Sequence, residues 1–99
     1  MIAYTKTGVE NFLIDKYGSR VLKYKGFKIL RDLIYDNADC LAGNLVEEYA
    51  RLAKTYKGNW KAIERALRYL KEMMDNKEET NLIFVNRLII EFRSTVENA

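Results

Sequence analysis

The chain has no histidine, no proline and one cysteine, Cys40, in 99 residues. A single thiol excludes an internal disulfide, and with it the small stapled secreted folds. Without imidazole there is no Cys/His zinc cluster, no Ser–His or Cys–His pair and no histidine base. The absence of proline and the presence of only five glycines leave no visible linker or low-complexity segment. Uninterrupted apolar runs are short, as in Phe12-Leu13-Ile14, so none spans a bilayer. The first ten residues, Met1 to Glu10, lack the apolar core of a signal peptide. The expectation is one cytoplasmic domain over residues 1–99, not an enzyme, with neither metal nor cofactor.

What is present is 48% apolar and 31% charged, with a net charge of +3, a globular composition. The charge is unevenly spread. Arg51 to Lys71 holds seven basic residues and one acid, Glu64, a net +6. Lys16 to Arg31 holds six basic residues and no acid, also +6. From Glu72 onward there are six acids against three basic residues. Basic stretches offset by an acidic tail suit a polyanion-binding surface or, equally, a set of solvated helix faces.

The apolar spacing is helical nearly throughout, which predicts an all-α domain of five or six helices. Thr7-Gly8-Val9-Glu10 reads as a capping box that opens the first helix, with Gly18 closing it. A second helix begins near Lys25, buries Phe27, Leu30, Ile34 and Leu33, and ends at Asp36-Asn37. Ala38 to Gly43 reads as a short helical turn with Leu41 inward, and Cys40 as a small buried residue. The last helix, from Thr80 to Val96, places Leu82, Val85, Ile89, Phe92 and Val96 on one stripe. Ile83 and Ile90 are left over for a dimer contact.

Between these lies the segment that carries the functional reading, about residues 44–75. Asn44 can cap a helix with Leu45, Tyr49, Leu52 and Tyr56 at i, i+4, i+7 and i+11. Lys57-Gly58-Asn59 interrupts it, Gly58 being free to turn left-handed and Asn59 to cap the next helix. That helix, Trp60 to Asp75, turns Ile63, Leu67, Leu70 and Met74 inward and Lys61, Arg65, Arg68 and Glu72 outward. Helix, short turn and cationic second helix match a helix-turn-helix, whose second helix reads the DNA major groove with its N-terminal residues. Arg65, Glu64 and Lys61 are the expected base contacts, since arginine pairs with guanine and glutamate accepts from cytosine. Arg68, Lys57, Lys54, Asn59 and Trp60 are the expected phosphate contacts.

The wording of this segment adds a resemblance. Leu52-Ala53-Lys54-Thr55-Tyr56, six residues, then Ile63-Glu64-Arg65-Ala66-Leu67-Arg68 resembles the C-terminal DNA-binding domain of stage-zero sporulation protein A, the sporulation response regulator. That family carries Ile-Ala-Lys-Lys-Phe and then Val-Glu-Arg-Ala-Ile-Arg at the same separation. Upstream, Lys25-Gly26-Phe27-Lys28-Ile29-Leu30-Arg31-Asp32 resembles its Lys-Gly-Tyr-x-x-Leu-Arg-Glu. Downstream, Thr80-Asn81-Leu82-Ile83-Phe84-Val85 is similar to the Thr-Asn-Ser-Glu-Phe-Ile that opens its last helix. The resemblance implies that Glu64 and Arg65 contact bases and that Arg68 matches the next arginine. It departs at Ala62, where the family has arginine, and at Lys61, where it has serine. The stretch Asp75 to Glu79 replaces a longer loop region, and no receiver domain precedes Met1, so a stand-alone regulator is expected.

Each of these residues also has a plainer role. Trp60 either packs on DNA or seals the start of its helix against the core. Glu64 either reads a base or pairs with Lys61, Arg68 or Lys71, of which Arg68 and Lys71 lie in the favoured C-terminal direction. The Lys16 to Arg31 stretch is a second phosphate contact or a solvated surface. The expected partner is double-stranded DNA, bound singly, as a homodimer or as a tandem pair with units about 34–36 Å apart. The alternative is a helical interaction module that keeps the fold, has lost operator recognition and modulates another regulator.

Overall fold

The computed structural model describes residues 4–75 and 78–98. The described residues form five α-helices: α1 (Lys6–Tyr17), α2 (Gly26–Asp36), α3 (Leu45–Thr55), α4 (Trp60–Met74) and α5 (Asn81–Glu97). A 3-10 segment, Ser19–Lys23, joins α1 to α2. The chain is all-α, with no strand among the described residues. Helix α2 is the central element, touching α1, α4 and α5, and α4 packs in turn on α3.

The core is one apolar cluster in which every helix takes part. Val9 and Leu13 enter from α1, Leu30, Leu33 and Ile34 from α2, and Leu67 and Leu70 from α4, all fully buried. Helix α5 supplies the largest of the fully buried side chains, Phe84 and Phe92. Its buried face is Phe84, Val85, Leu88, Ile89 and Phe92, with Leu82 and Val96 only half-buried. The inward stripe is therefore rotated from the expected one, and Phe84 replaces Leu82 at its start. Ile83 and Ile90 stay 55% exposed.

Four local expectations are corrected. The first helix starts at Lys6, not after Thr7: Thr5 takes an extended backbone and its hydroxyl accepts from the Gly8 amide at 2.9 Å. Glu10, expected to close a capping box, is instead held by Arg31 of α2 at 3.0 Å. Residues 38–43 form no helix. There the Asn86 side chain bonds both the amide and the carbonyl of Ala42, each at 2.9 Å, which fixes the loop in a non-helical course. Ala38 and Ala42 turn inward, while Leu41 is 44% exposed and Cys40 is exposed. Finally, the left-handed residue between α3 and α4 is Lys57, with φ 55°, and not Gly58. The Gly58 amide donates to the Ala53 carbonyl at 2.9 Å, and together they close α3 in a Schellman arrangement. Of the shortened Asp75 to Glu79 segment, residues 76 and 77 lie outside the described residues.

Candidate nucleic-acid interface

Short-range caps and long-range anchors together position the α3–α4 hairpin. The Asn44 side chain accepts from the Val46 amide at 2.7 Å, and Glu47 and Glu48 add negative charge in the first turn of α3. Leu45, Tyr49, Leu52 and Ala53 are buried. After the turn, the Asn59 carboxamide oxygen accepts from the Ala62 amide at 2.9 Å and starts α4. Ile63, Leu67 and Leu70 then seat α4 on the core.

The turn is also tied to the rest of the domain by a polar network that sequence reasoning missed. The Tyr56 hydroxyl donates to Asp32 at 2.5 Å, and Arg31 donates through Nε to Asp32 at 2.9 Å and through Nη2 to the Tyr56 oxygen at 3.3 Å. Asp32 is only 4% exposed and has Lys6 of α1 at 3.6 Å. Burial and the bond to Asp32 push the Tyr56 hydroxyl up to about 12. The signal was an acid, Asp32, set with Arg31 between the apolar pairs Ile29-Leu30 and Leu33-Ile34 of α2, where a buried carboxylate is tolerated only when paired. Close approach of α2 and α4 is set at Gly26: a Cβ there would stand 2.5 Å from the Ala66 carbonyl oxygen and 2.9 Å from the Leu70 Cβ.

The outward side of the hairpin carries the residues singled out from sequence. Lys61, Arg65 and Arg68 are exposed along α4, and Lys54 and Lys57 are exposed at the end of α3. Asn59 is exposed but its side-chain oxygen is spent on the cap. Trp60 does not seal the helix against the core. It is 48% exposed, with the Lys61 ammonium 5.8 Å from its ring, because first-turn side chains lean toward the helix N-terminus and away from what the next turn covers. Glu64 lies 3.2 Å from Arg68, the i, i+4 pair. Lys71 takes no part in that pairing or in the outer face. It is buried, and its ammonium donates to the Glu79 carbonyl at 2.6 Å.

Ion pairing divides the domain. Arg31, Arg51 and Arg87 each meet two or more carboxylates, and Lys16 meets Glu91 at 3.1 Å. By contrast Lys54, Lys57, Lys61 and Arg65 make no ion pair among the described residues, and neither do Arg20, Lys23, Lys25 and Lys28. Lys23, Lys25 and Lys28 edge a groove of about 520 Å³ whose opposite wall is the Ala62–Ala66 side of α4. The two basic stretches of the sequence thus meet at one helix. Arg31 and Lys16, which belong to the first stretch, are withdrawn from it by their carboxylate partners.

The fold and this surface define an all-α domain with a helical hairpin whose second helix is apolar beneath and cationic outside. The chain matches no family model, no curated protein and no solved structure. No group of His, Cys, Asp or Glu able to hold a metal is found among the described residues, and no helix there is long and apolar enough to cross a membrane.

Proposed function

We propose that the domain binds double-stranded DNA in a sequence-directed way and acts as a transcriptional regulator, with α3 and α4 as a helix-turn-helix. In this reading α4 enters the major groove. Arg65, Glu64 and Lys61 face base edges, while Arg68, Lys57, Lys54, Asn59 and Trp60 hold phosphate and sugar. The observation that carries it is the set of cations without an ion pair among the described residues, Lys54, Lys57, Lys61 and Arg65, on the hairpin's outer side, in a domain that ties Arg31, Arg51 and Arg87 to carboxylates. A cation left without a carboxylate costs nothing on a solvated surface, but four along one hairpin form a field that attracts a polyanion. The resemblance of the α4 wording to the sporulation regulator's effector domain supports the same reading.

Arg68 already leans on Glu64. On a duplex the arginine would exchange this exposed pair, worth little in water, for a phosphate, and free Glu64 to accept from a cytosine amino group. Two copies on neighbouring half-sites, about 34–36 Å apart, fit side by side, since two of the domain's dimensions are 26 and 24 Å.

Selection from random duplexes, followed by fluorescence-anisotropy titration at several salt concentrations, tests the proposal. The log–log salt slope should be about −0.9 per neutralised phosphate. Arg65→Ala should cost about 1–3 kcal/mol on the selected duplex and relax one position. Arg68→Ala should weaken all duplexes alike and flatten the slope by about one. No selected consensus, or equal loss on random and selected duplexes for Arg65→Ala, would remove base reading by this helix.

A further inference from the structure

A groove runs along the flank of α4, beside the outward face and distinct from it. Its walls are the 3-10 segment and the start of α2 on one side and α4 on the other. Its lining is largely apolar, with Leu22 and Ile29 on the first side and Ala62, Ile63 and Ala66 on the second. Two alanines one turn apart keep it open, because any larger side chain at either position would fill it. The apolar surface continues past the groove onto the Tyr24–Tyr69 ring pair, centroids 5.8 Å apart. Leu22 and Tyr69 are both more than half exposed. Lys23, Lys25 and Lys28 border the groove without a carboxylate partner among the described residues.

We propose that this groove is a docking site for an acidic amphipathic helix of another protein. Both halves of the surface demand it. A phosphate backbone would satisfy the lysines and leave the apolar floor in water, whereas an uncharged apolar ligand would leave the lysines unanswered. A helix with a narrow apolar stripe flanked by glutamates or aspartates satisfies both, the helix-in-groove mode of recognition. The length fits as well. From Ala62 to Tyr69 α4 rises about 10 Å at 1.5 Å per residue, enough to seat apolar anchors at i, i+4 and i+7, which span about 10 Å. The proposal is independent of the DNA reading, which uses the neighbouring face of α4.

The test is selection from a phage library of helical peptides on the immobilised 99-residue chain, with the enriched peptides synthesised and titrated by fluorescence anisotropy. The enriched peptides should carry carboxylates on both sides of an apolar stripe. Leu22→Glu, which spoils the floor at an exposed position, and the combined Lys23→Glu, Lys25→Glu, Lys28→Glu variant should each weaken binding about tenfold or more, with unchanged circular dichroism. A peptide with its carboxylates replaced by lysine should regain binding to the combined variant and not to Leu22→Glu. If the combined variant fails to fold, Leu22→Glu and the lysine-substituted peptide on the unaltered chain still decide. No enrichment, enrichment of uncharged or basic peptides, or binding indifferent to Leu22→Glu would overturn the proposal. So would a combined variant that loses duplex affinity while holding the peptide, since the lysines would then be phosphate contacts.

Discussion

Lys57 offers a perturbation whose effects on stability and on DNA binding carry opposite signs. Its backbone sits at φ 55° in the turn between α3 and α4, a conformation that costs an L-residue with a Cβ about 1–2 kcal/mol and costs glycine nothing comparable. Glycine gives back about 0.5–1 kcal/mol through the greater freedom of its unfolded chain. The difference leaves Lys57→Gly more stable by about 0.5–1 kcal/mol. In a domain of this size that raises the thermal midpoint by about 4 °C. The same change deletes an exposed cation from the proposed DNA surface, so the salt slope of duplex binding should flatten by about one. Lys57→Ala separates the two effects, because it removes the charge and keeps the Cβ: affinity should fall as for glycine while the midpoint stays within about 0.5 kcal/mol of its original stability. Gly58→Ala should also be near neutral, since its backbone is not left-handed and the nearest atom to an added Cβ is 4.0 Å away. Melts followed by circular dichroism and anisotropy titrations measure all three variants. A midpoint lowered by Lys57→Gly, or a larger loss from Gly58→Ala than from any change at Lys57, would refute the turn geometry. Unchanged duplex binding in both Lys57 variants would refute the phosphate contact.

Gly26→Ala should destabilise by about 2–3 kcal/mol, because the added methyl meets the Ala66 backbone and not a side chain able to swing away; an unchanged denaturant midpoint would contradict the close α2–α4 approach. Asp32→Asn should cost about 1–3 kcal/mol by replacing charge-assisted bonds from Arg31 and Tyr56 with neutral ones, Arg31 keeping Glu10, and Tyr56→Phe in the same background should then cost less than it does alone if the two act through one network. In the folded domain burial and Asp75 raise the Tyr17 hydroxyl well above its usual range, and burial and Asp32 push Tyr56 up to about 12. The folded state therefore keeps protons that the unfolded chain releases above about pH 10, so this stabilisation is complete below pH 10 and is lost as pH rises toward the folded values. Tyr17→Phe and Tyr56→Phe should each give a shallower fall of the urea midpoint between pH 9 and 11, and a fall as steep as the parent's would sink the assignment.

The hairpin was legible because its signals are short-range. Asn44 and Asn59 cap within two or three residues of themselves, and Leu45, Tyr49 and Leu52 declare a helical face without reference to any other segment. What the sequence hid depends on distant residues. Thr5 and Thr7 are equally good caps on paper; the choice turned on Glu10, which Arg31 claims from 21 positions away. Residues 38–43 carry no local mark of the Asn86 side chain that fixes them. Lys71 reads as one more outward cation at the end of a basic run, yet a carbonyl eight residues on draws its ammonium in while the stem covers apolar surface. Trp60 fails for the reverse reason: the position has core spacing relative to Ile63 and Leu67, but spacing says nothing about whether any element lies opposite the first turn.

The same dependence explains why a count of charge misjudges this surface. Arg31 and Lys25 sit six residues apart in one acid-free stretch, yet one is neutralised by two carboxylates and the other faces a groove with none. What separates them is which side of α2 they occupy. Toward α1 and the α3 turn, Glu10 of α1 and Asp32 of α2 itself flank Arg31, and the guanidinium there serves as a structural tie. Toward α4 it meets Ala62 and Ala66, small uncharged residues that leave the ammonium groups to solvent or to a ligand. The lysines that border the groove are thus those whose neighbours across it are alanine and glycine, and the basic character of the α4 side arises as much from the acids kept away from it as from the lysines and arginines placed on it.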